Sequence, residues 1–303
     1  RFRGGEDRVG FRHGGRDGIN QRFEAGELAA EHDGGEVGVR GGDVGIKGHG
    51  IQVLLNHRVR HILLNERHEA IGIQALLPDG SIRNIRAKKA VVFGCGGFTH
   101  NADLILHFQK GPTFGGCAVI TNTGDLVYMG QAIGAQLSNM NGAWNAQIPL
   151  EPALESPSTP DDIWQPVGDS MIMVNKYGKR VVNEKRNYND RTKVHFYWDP
   201  VEQEYPNQIL CMIYDQRTLE LFAHSPEIYP VPSPGTNETY VIHGKDWDEL
   251  GKNVRQRVNE LAPRIGCWRI DESFEINIKT TVNRFNSFAR QGNDEDFHRG
   301  KFP

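Results

Sequence analysis

Ala87-Lys88-Lys89-Ala90-Val91-Val92-Phe93-Gly94-Cys95-Gly96-Gly97-Phe98 is the stretch on which the class of this chain turns. Residues 90–93 form a short apolar run closed by glycines, the pattern of a strand buried on both faces. Beyond it, Gly94, Cys95, Gly96 and Gly97 offer backbone with little side-chain cover, which a flat or charged ligand can approach. A glycine pair after a strand is also an ordinary turn, so the segment points to a site only in company with others.

Working outward, residues 51–55 and 59–64 read as strands. Residues 70–76 and 81–85 form a hairpin about Asp79-Gly80, a pair suited to a turn with positive φ. Asn101 opens a short helical stretch, and Asn122-Thr123-Gly124-Asp125 precedes a helix to about residue 137. On that helix Gly130, Ala132, Gly134 and Ala135 are small. Residues 171–175 and 180–183 read as a second hairpin about Tyr177-Gly178, and 208–214 as a buried strand. Residues 247–261 and 274–290 carry the period of amphipathic helices, with Asp246 and Ser273 as N-caps. Strands and helices alternate without repeats, so the class is α/β (α+β mixed). The proline-rich stretch 149–166 suits a crossover between domains, and 226–234 is a second such loop.

Composition narrows the function. The 303 residues carry 35 Lys+Arg against 38 Asp+Glu, a formal charge of −3, which leaves no electrostatic footprint for nucleic acid. No apolar run approaches the ~20 residues of a membrane span, and no leader is visible, so the reading is cytoplasmic. Cys95, Cys117, Cys211 and Cys267 are widely spaced and suit reduced thiols rather than a disulfide framework or a zinc site. The first 50 residues differ from the rest: they hold 15 of the 35 glycines and no Ser, Thr, Pro, Cys, Met, Tyr or Trp. So little apolar surface cannot offset the entropy of ordering that backbone, and residues 1–50 read as disordered or non-native sequence. A weak helical pattern at 20–32 is their one periodic feature.

Three segments could carry chemistry. Besides Gly94–Gly97, Asn122-Thr123-Gly124-Asp125 places free N–H groups and a carboxylate at a helix start. That arrangement serves sugar or phosphate oxygens, or simply caps the helix. The third runs from Val174 through Asn183-Glu184 to Tyr188 and Arg191, where a phenol could act as acid or base or merely pack an interface. Other features weigh less. His57 and His61 lie in a strand reading where their spacing does not converge on a metal. Asn293-Asp294-Glu295-Asp296 lacks the remaining ligands of a calcium loop and reads as a solvated turn. Asn237-Glu238-Thr239 fits a sequon only by chance, and no Gly-x-Ser-x-Gly elbow is present.

In order along the chain, these segments resemble the flavoprotein family of fumarate reductase, succinate dehydrogenase and 3-ketosteroid Δ1-dehydrogenase. Residues 87–101 are similar to its strand with Gly-Gly-Phe-x-x-Asn, and Asn122–Asp125 with Gly134-Ala135 to its Thr-Gly-Asp segment. Residues 174–184 are similar to its Val-Asn-x-x-Gly-Lys-Arg-x-x-Asn-Glu. Thr281-Val282-Asn283-Arg284-Phe285-Asn286, with Gly292, Asp294, Asp296-Phe297 and Arg299-Gly300, resembles the ketosteroid branch.

The resemblance implies a partial FAD-binding domain of Rossmann-like (GR2) type over 51–145, interrupted by an α+β catalytic cap over 146–303. Val59, Gly94, Cys95, Gly96 and Gly97 would follow the adenosine side of FAD, and Thr123, Gly124 and Asp125 its sugar or ribityl chain. Five residues beyond Asn183, where the reductases place an arginine acid, stands Tyr188. That implies α,β-dehydrogenation beside a ketone, on a steroid-like or other apolar ketone, with the electron acceptor undefined. A free phenol titrates near pH 10, so it serves as a base only with a cation or hydrogen bonds to its phenolate. Lys185, Arg186 and Arg191 are neighbours of the right charge.

Two alternatives stand beside this: an enoate reductase using Arg191, and a non-catalytic remnant that binds no FAD. The family's pyrophosphate-binding Gly-x-Gly-x-x-Gly and its C-terminal glycine-rich segment are not in the sequence, so the reading expects a fragment truncated at both ends. Leu126 stands where the family has a further glycine, and Gly94-Cys95 where it has Ala-Thr.

Overall fold

Asp79-Gly80 turns the chain as its composition demands. In the computed structural model, which describes residues 52–158, 166, 169–222, 231–232, 238–266 and 268–301, Gly80 takes φ +81°. The Asp79 carboxylate accepts from the Ser81 amide at 2.9 Å. The turn joins β2 (Ala70–Leu76) to β3 (Ile82–Arg86), and β1 (Arg58–Leu64) pairs antiparallel on the other side of β2. Ile62 faces Ile73, and Ile73 faces Ile85 across the meander. Helix α2 (Asp125–Ala132) contacts β1, and α1 (Ala102–Phe108) begins at Asn101, whose carboxamide accepts from the Leu104 amide at 3.0 Å.

The chain forms two compact units. The described part of the first comprises residues 52–97 and 119–137, with the meander and α2; that of the second comprises 98–118 and 138–301 within its bounds. The second unit holds α1, α3 (Leu150–Glu155), β4 (Ile172–Val174), α4 (Tyr188–Thr192), β5 (Cys211–Ile213), α5 (Gln216–Phe222), α6 (Trp247–Leu261) and α7 (Phe274–Gln291). Its core joins Ile172 and Val174 of β4, Val254, Val258 and Leu261 of α6, and Phe274 and Ile278 of α7, with Ile265 and Trp268 between the helices. These are the apolar positions that the helical period sets on one face of α6 and α7. Asp246 caps α6 by accepting from the Glu249 amide at 2.9 Å. Ser273 precedes α7 but its hydroxyl does not cap it; the Asp271 carboxylate takes both the Ser273 amide and hydroxyl instead.

Several local expectations are corrected. Residues 90–93 are in no strand and Val92 is 90% exposed: among the described residues no strand lies beside this run to satisfy its ladder. Residues 52–55 are likewise outside any strand, and residue 51 lies outside the described residues. Helix α2 stops at Ala132, because Gly134 takes φ +81° and the amides of Gly134 and Ala135 bond back to the carbonyls of Gln131 and Gly130. That is a glycine-terminated helix end, so Gly134 breaks the helix rather than packing within it.

Residues 180–183 do not form a second hairpin strand. Arg180 makes one bridge to Val174, while β4 takes β5 as its ladder partner, with Ile172 facing Ile213 and Val174 facing Cys211. The Tyr177-Gly178 turn is real, with Gly178 at φ +71°. A Cβ there would lie 2.7 Å from the Phe274 carbonyl oxygen, so the turn seats directly on the start of α7. The expectations for residues 1–50, for Cys267 and for most of the 226–234 loop lie outside the described residues. Among the described residues no helix is long and apolar enough to cross a membrane, and no group of His, Cys, Asp or Glu could hold a metal ion.

Candidate active site

In the first unit, Gly94–Gly97 runs exposed, and the space beyond the α-carbons of Gly94 and Gly97 is open. Gly96 has φ +71°, and a Cβ on it would fall 2.3 Å from the Asn122 side-chain nitrogen. The two glycine-bearing segments therefore meet, with Asn122 lying against Gly96. The Asn122 Oδ1 is buried without a hydrogen-bond partner among the described residues, a cost that a hydroxyl or amide of a bound group would remove. Gly124, at φ +81°, is the N-cap of α2, with Thr123 half-buried before it. The Asp125 carboxylate meets Arg58 at 3.7 Å in an exposed pair, loose enough to accept a sugar hydroxyl. Val59 sits half-buried in β1 opposite Ala75. An open glycine cradle, an orphaned carboxamide oxygen and an acceptor carboxylate suit a nucleoside or ribityl group. Cys95 is exposed beside them.

A Gly96→Ala substitution tests that cradle. The new methyl needs left-handed backbone and displaces Asn122, so FAD affinity is expected to fall roughly tenfold, for a backbone cost of about 1–2 kcal/mol. Titration of the flavin spectrum reads it; an unaltered affinity would take the segment out of the flavin site.

In the second unit, Asn187 caps α4 and Tyr188 is its first residue, half-buried. The Trp144 ring stacks against Tyr188 at a centroid distance of 6.4 Å and 27° between planes, and Trp144 is 79% exposed. Arg191 is different. It is only 3% exposed; its Nε donates to Gln147 Oε1 at 2.6 Å and its Nη1 to the Glu184 carbonyl at 2.8 Å and the Arg186 carbonyl at 3.4 Å. Burial pulls its pKa down to about 10, against the opposing attraction of Glu184. Arg191 is thus buried and held by Gln147 and two backbone carbonyls.

Two groups of residues escape a reading by sequence alone. Glu184 is completely buried; its carboxylate accepts from Arg180 Nε at 2.9 Å, Arg180 Nη2 at 2.8 Å, Arg299 Nη1 at 3.3 Å and the Met173 amide at 3.2 Å. Asp294, 5% exposed, takes Arg180 on both oxygens at 3.1 and 3.0 Å. The Arg180 guanidinium lies between the Phe285 and Phe297 rings, 4.8 and 5.0 Å from their centroids. The solvated turn expected at 293–296 is therefore corrected at Asp294, which anchors a buried ion cluster. Burial alone would lower the pKa of Arg180, but its bonds to Glu184 and Asp294 outweigh that and hold it above the ordinary range. Burial would raise Asp294, yet the Arg180 guanidinium holds its carboxyl below the usual value.

The second group is Gln147 with His195. Gln147 bonds Arg191 on one side and His195 on the other, and both line a cavity of about 950 Å3. Its apolar wall includes Phe114, Ile148, Ile209, Val254 and Phe285; Tyr188 and Arg191 are not in it.

Residues 27–302 match the FAD binding domain family. The chain belongs to that family of FAD-dependent oxidoreductases. It is 32% identical over 219 residues to 4-oxocyclohexanecarboxylate 2-dehydrogenase of Sinomonas cyclohexanicum, covering 72% of this chain and 34% of that protein. To 3-oxosteroid 1-dehydrogenase of Mycolicibacterium smegmatis it is 31% identical over 266 residues, covering 83% and 42%. The chain thus spans less than half the length of these relatives. The fold is also similar to 3-ketosteroid Δ1-dehydrogenase from Sterolibacterium denitrificans, with a TM-score of 0.62 at 18% identity, over 84% of this chain and 43% of that one.

Proposed function

We propose that this chain is part of an FAD-dependent dehydrogenase that desaturates a carbon–carbon bond beside a ketone, with Tyr188 handling the proton. The observation that carries this is the contrast between two residues three positions apart. Tyr188 stands half-buried at the start of α4 with an aromatic neighbour, whereas Arg191 is spent on Gln147 and two backbone carbonyls. A reductase reading would need that arginine to meet the substrate.

In this reading bound FAD would supply the acceptor for the hydride that leaves the β-carbon. Gly94, Cys95, Gly96 and Gly97, with Val59, would hold its adenosine side, and Thr123, Gly124 and Asp125 its sugar or ribityl chain. Tyr188, ionised to its phenolate, would receive the proton from the α-carbon, which the ketone acidifies, so one C=C forms as two C–H bonds break. Two of the relatives are named for cyclic ketones, and a cyclic, largely apolar ketone is the substrate class proposed here, in a cytoplasmic enzyme.

The test uses the chain purified with FAD and desalted. Retained flavin that a saturated cyclic ketone bleaches, and that an unsaturated dicarboxylate does not reoxidise, is the expected result. Flavin lost on desalting, or reoxidised by the dicarboxylate, would overturn the proposal.

A further inference from the structure

Residues 143–147 run along α4 and are tied at alternate positions to it and to Lys193 just beyond its end. Lys193 Nζ donates to the Ala143 carbonyl at 3.1 Å, the Asn145 amide donates to Asn189 Oδ1 at 2.9 Å, and Arg191 Nε donates to Gln147 Oε1 at 2.6 Å. Between the first two ties, Trp144 stacks on Tyr188. The strap ends at Gln147, whose orientation is fixed from outside it.

His195 Nδ1 lies 2.7 Å from the Asn207 carbonyl and 3.1 Å from that of Gln208. Carbonyls only accept, so Nδ1 carries a proton. In the neutral ring Nε2 is then an acceptor, and it takes the Gln147 side-chain nitrogen at 2.9 Å. That leaves Gln147 Oε1 facing Arg191. Each of the bonds joining His195, Gln147 and Arg191 pairs one donor with one acceptor in this state.

We propose that Gln147 is a positioning residue for Tyr188, held in its working orientation by a neutral His195 and giving up one of its two bonds, to the ring or to Arg191, when His195 takes up a proton. A second ring proton makes Nε2 a donor against the Gln147 NH2. Rotating the amide to accept from it would turn that NH2 onto the Arg191 Nε–H, so one of the two bonds must break. The 205–210 loop presents the two carbonyls to the ring, residues 143–147 present the Gln147 amide, and α4 presents Arg191, the charged group that acts on it. Burial, with Arg191 adding to it, moves His195 below the ordinary histidine value against the pull of those carbonyls, so the release lies on the acid side of about pH 6.5. The role in catalysis rests on the proposed function; the switch itself does not.

The test is an NMR titration of the whole chain that follows the His195 ring and the Trp144 indole N–H together. In the parent chain the Trp144 resonance is expected to shift in step with His195 protonation. In Gln147→Glu the carboxylate accepts from both Arg191 and the protonated ring, so the proton affinity of His195 rises roughly tenfold or more. The ring stays clamped when charged, and the Trp144 shift shrinks or disappears. A Trp144 resonance blind to His195 protonation in the parent chain, or a His195 titration that Gln147→Glu leaves unmoved, overturns the proposal. Neither readout needs turnover, so a failure of the ketone-dehydrogenase reading would show separately, in the flavin-bleaching test.

Discussion

Tyr188→Phe is expected to lower turnover on a cyclic ketone by roughly 10²–10⁴-fold, the usual loss on removing a positioned acid–base group, while flavin stays bound. The substitution keeps the ring that stacks on Trp144 and the Asn187 cap that starts α4; it deletes one hydroxyl. Among the described residues no other group bonds that hydroxyl, so its loss should leave the fold stability near the parent value. Single-turnover flavin reduction, with retained flavin and the unfolding midpoint as controls, measures the effect. Flavin reduction at the parent rate would remove Tyr188 from the mechanism. Loss of flavin together with the rate would make it a packing residue.

Arg180→Met carries the largest expected loss of stability, about 3–5 kcal/mol, because it breaks a buried pair and leaves its partner charge behind. Glu184 keeps Arg299 and the Met173 amide, but Asp294 loses both side-chain bonds from Arg180. The pH dependence gives the effect a signature. In the parent chain the Asp294 pKa is lowered below its unfolded value. Its contribution is therefore present above the ordinary carboxylate range and lost as pH falls through the folded pKa. Without Arg180 only the amides of Asp296, Phe297 and Arg299 oppose burial at this carboxylate. Its contribution above the carboxylate range shrinks, so the gap between variant and parent narrows as pH falls. Urea unfolding at neutral and mildly acid pH reads both. A loss under 1 kcal/mol, or one that deepens as pH falls, would mean that the cluster does not carry this part of the fold.

Much of the local structure was legible because it depends on short-range rules. Gly80 and Gly178 take the positive φ that their turns need, Asn101 and Asp246 cap the helices they precede, and α6 and α7 follow their apolar period. The candidate residues were also legible, through motifs whose order along the chain matches the family. What those residues touch was not. Arg180 and Asp294 stand 114 positions apart, and nothing local to Asn293-Asp294-Glu295-Asp296 separates a buried anchor from a solvated turn.

Sequence by itself determined the Gly80 and Gly178 turns, the Asn101 and Asp246 caps, the helix faces and the family of this protein, since each rests on backbone geometry within a few residues or on motifs in linear order. The tertiary structure alone decided that β4 pairs with β5 and that residues 90–93 stay out of any strand, because a strand exists only where a neighbour completes its ladder. It also decided the surroundings of Arg191 and Asp294. Both are polar enough for any surface, and their burial follows from the long-range ion pairs and hydrogen bonds that offset the loss of water.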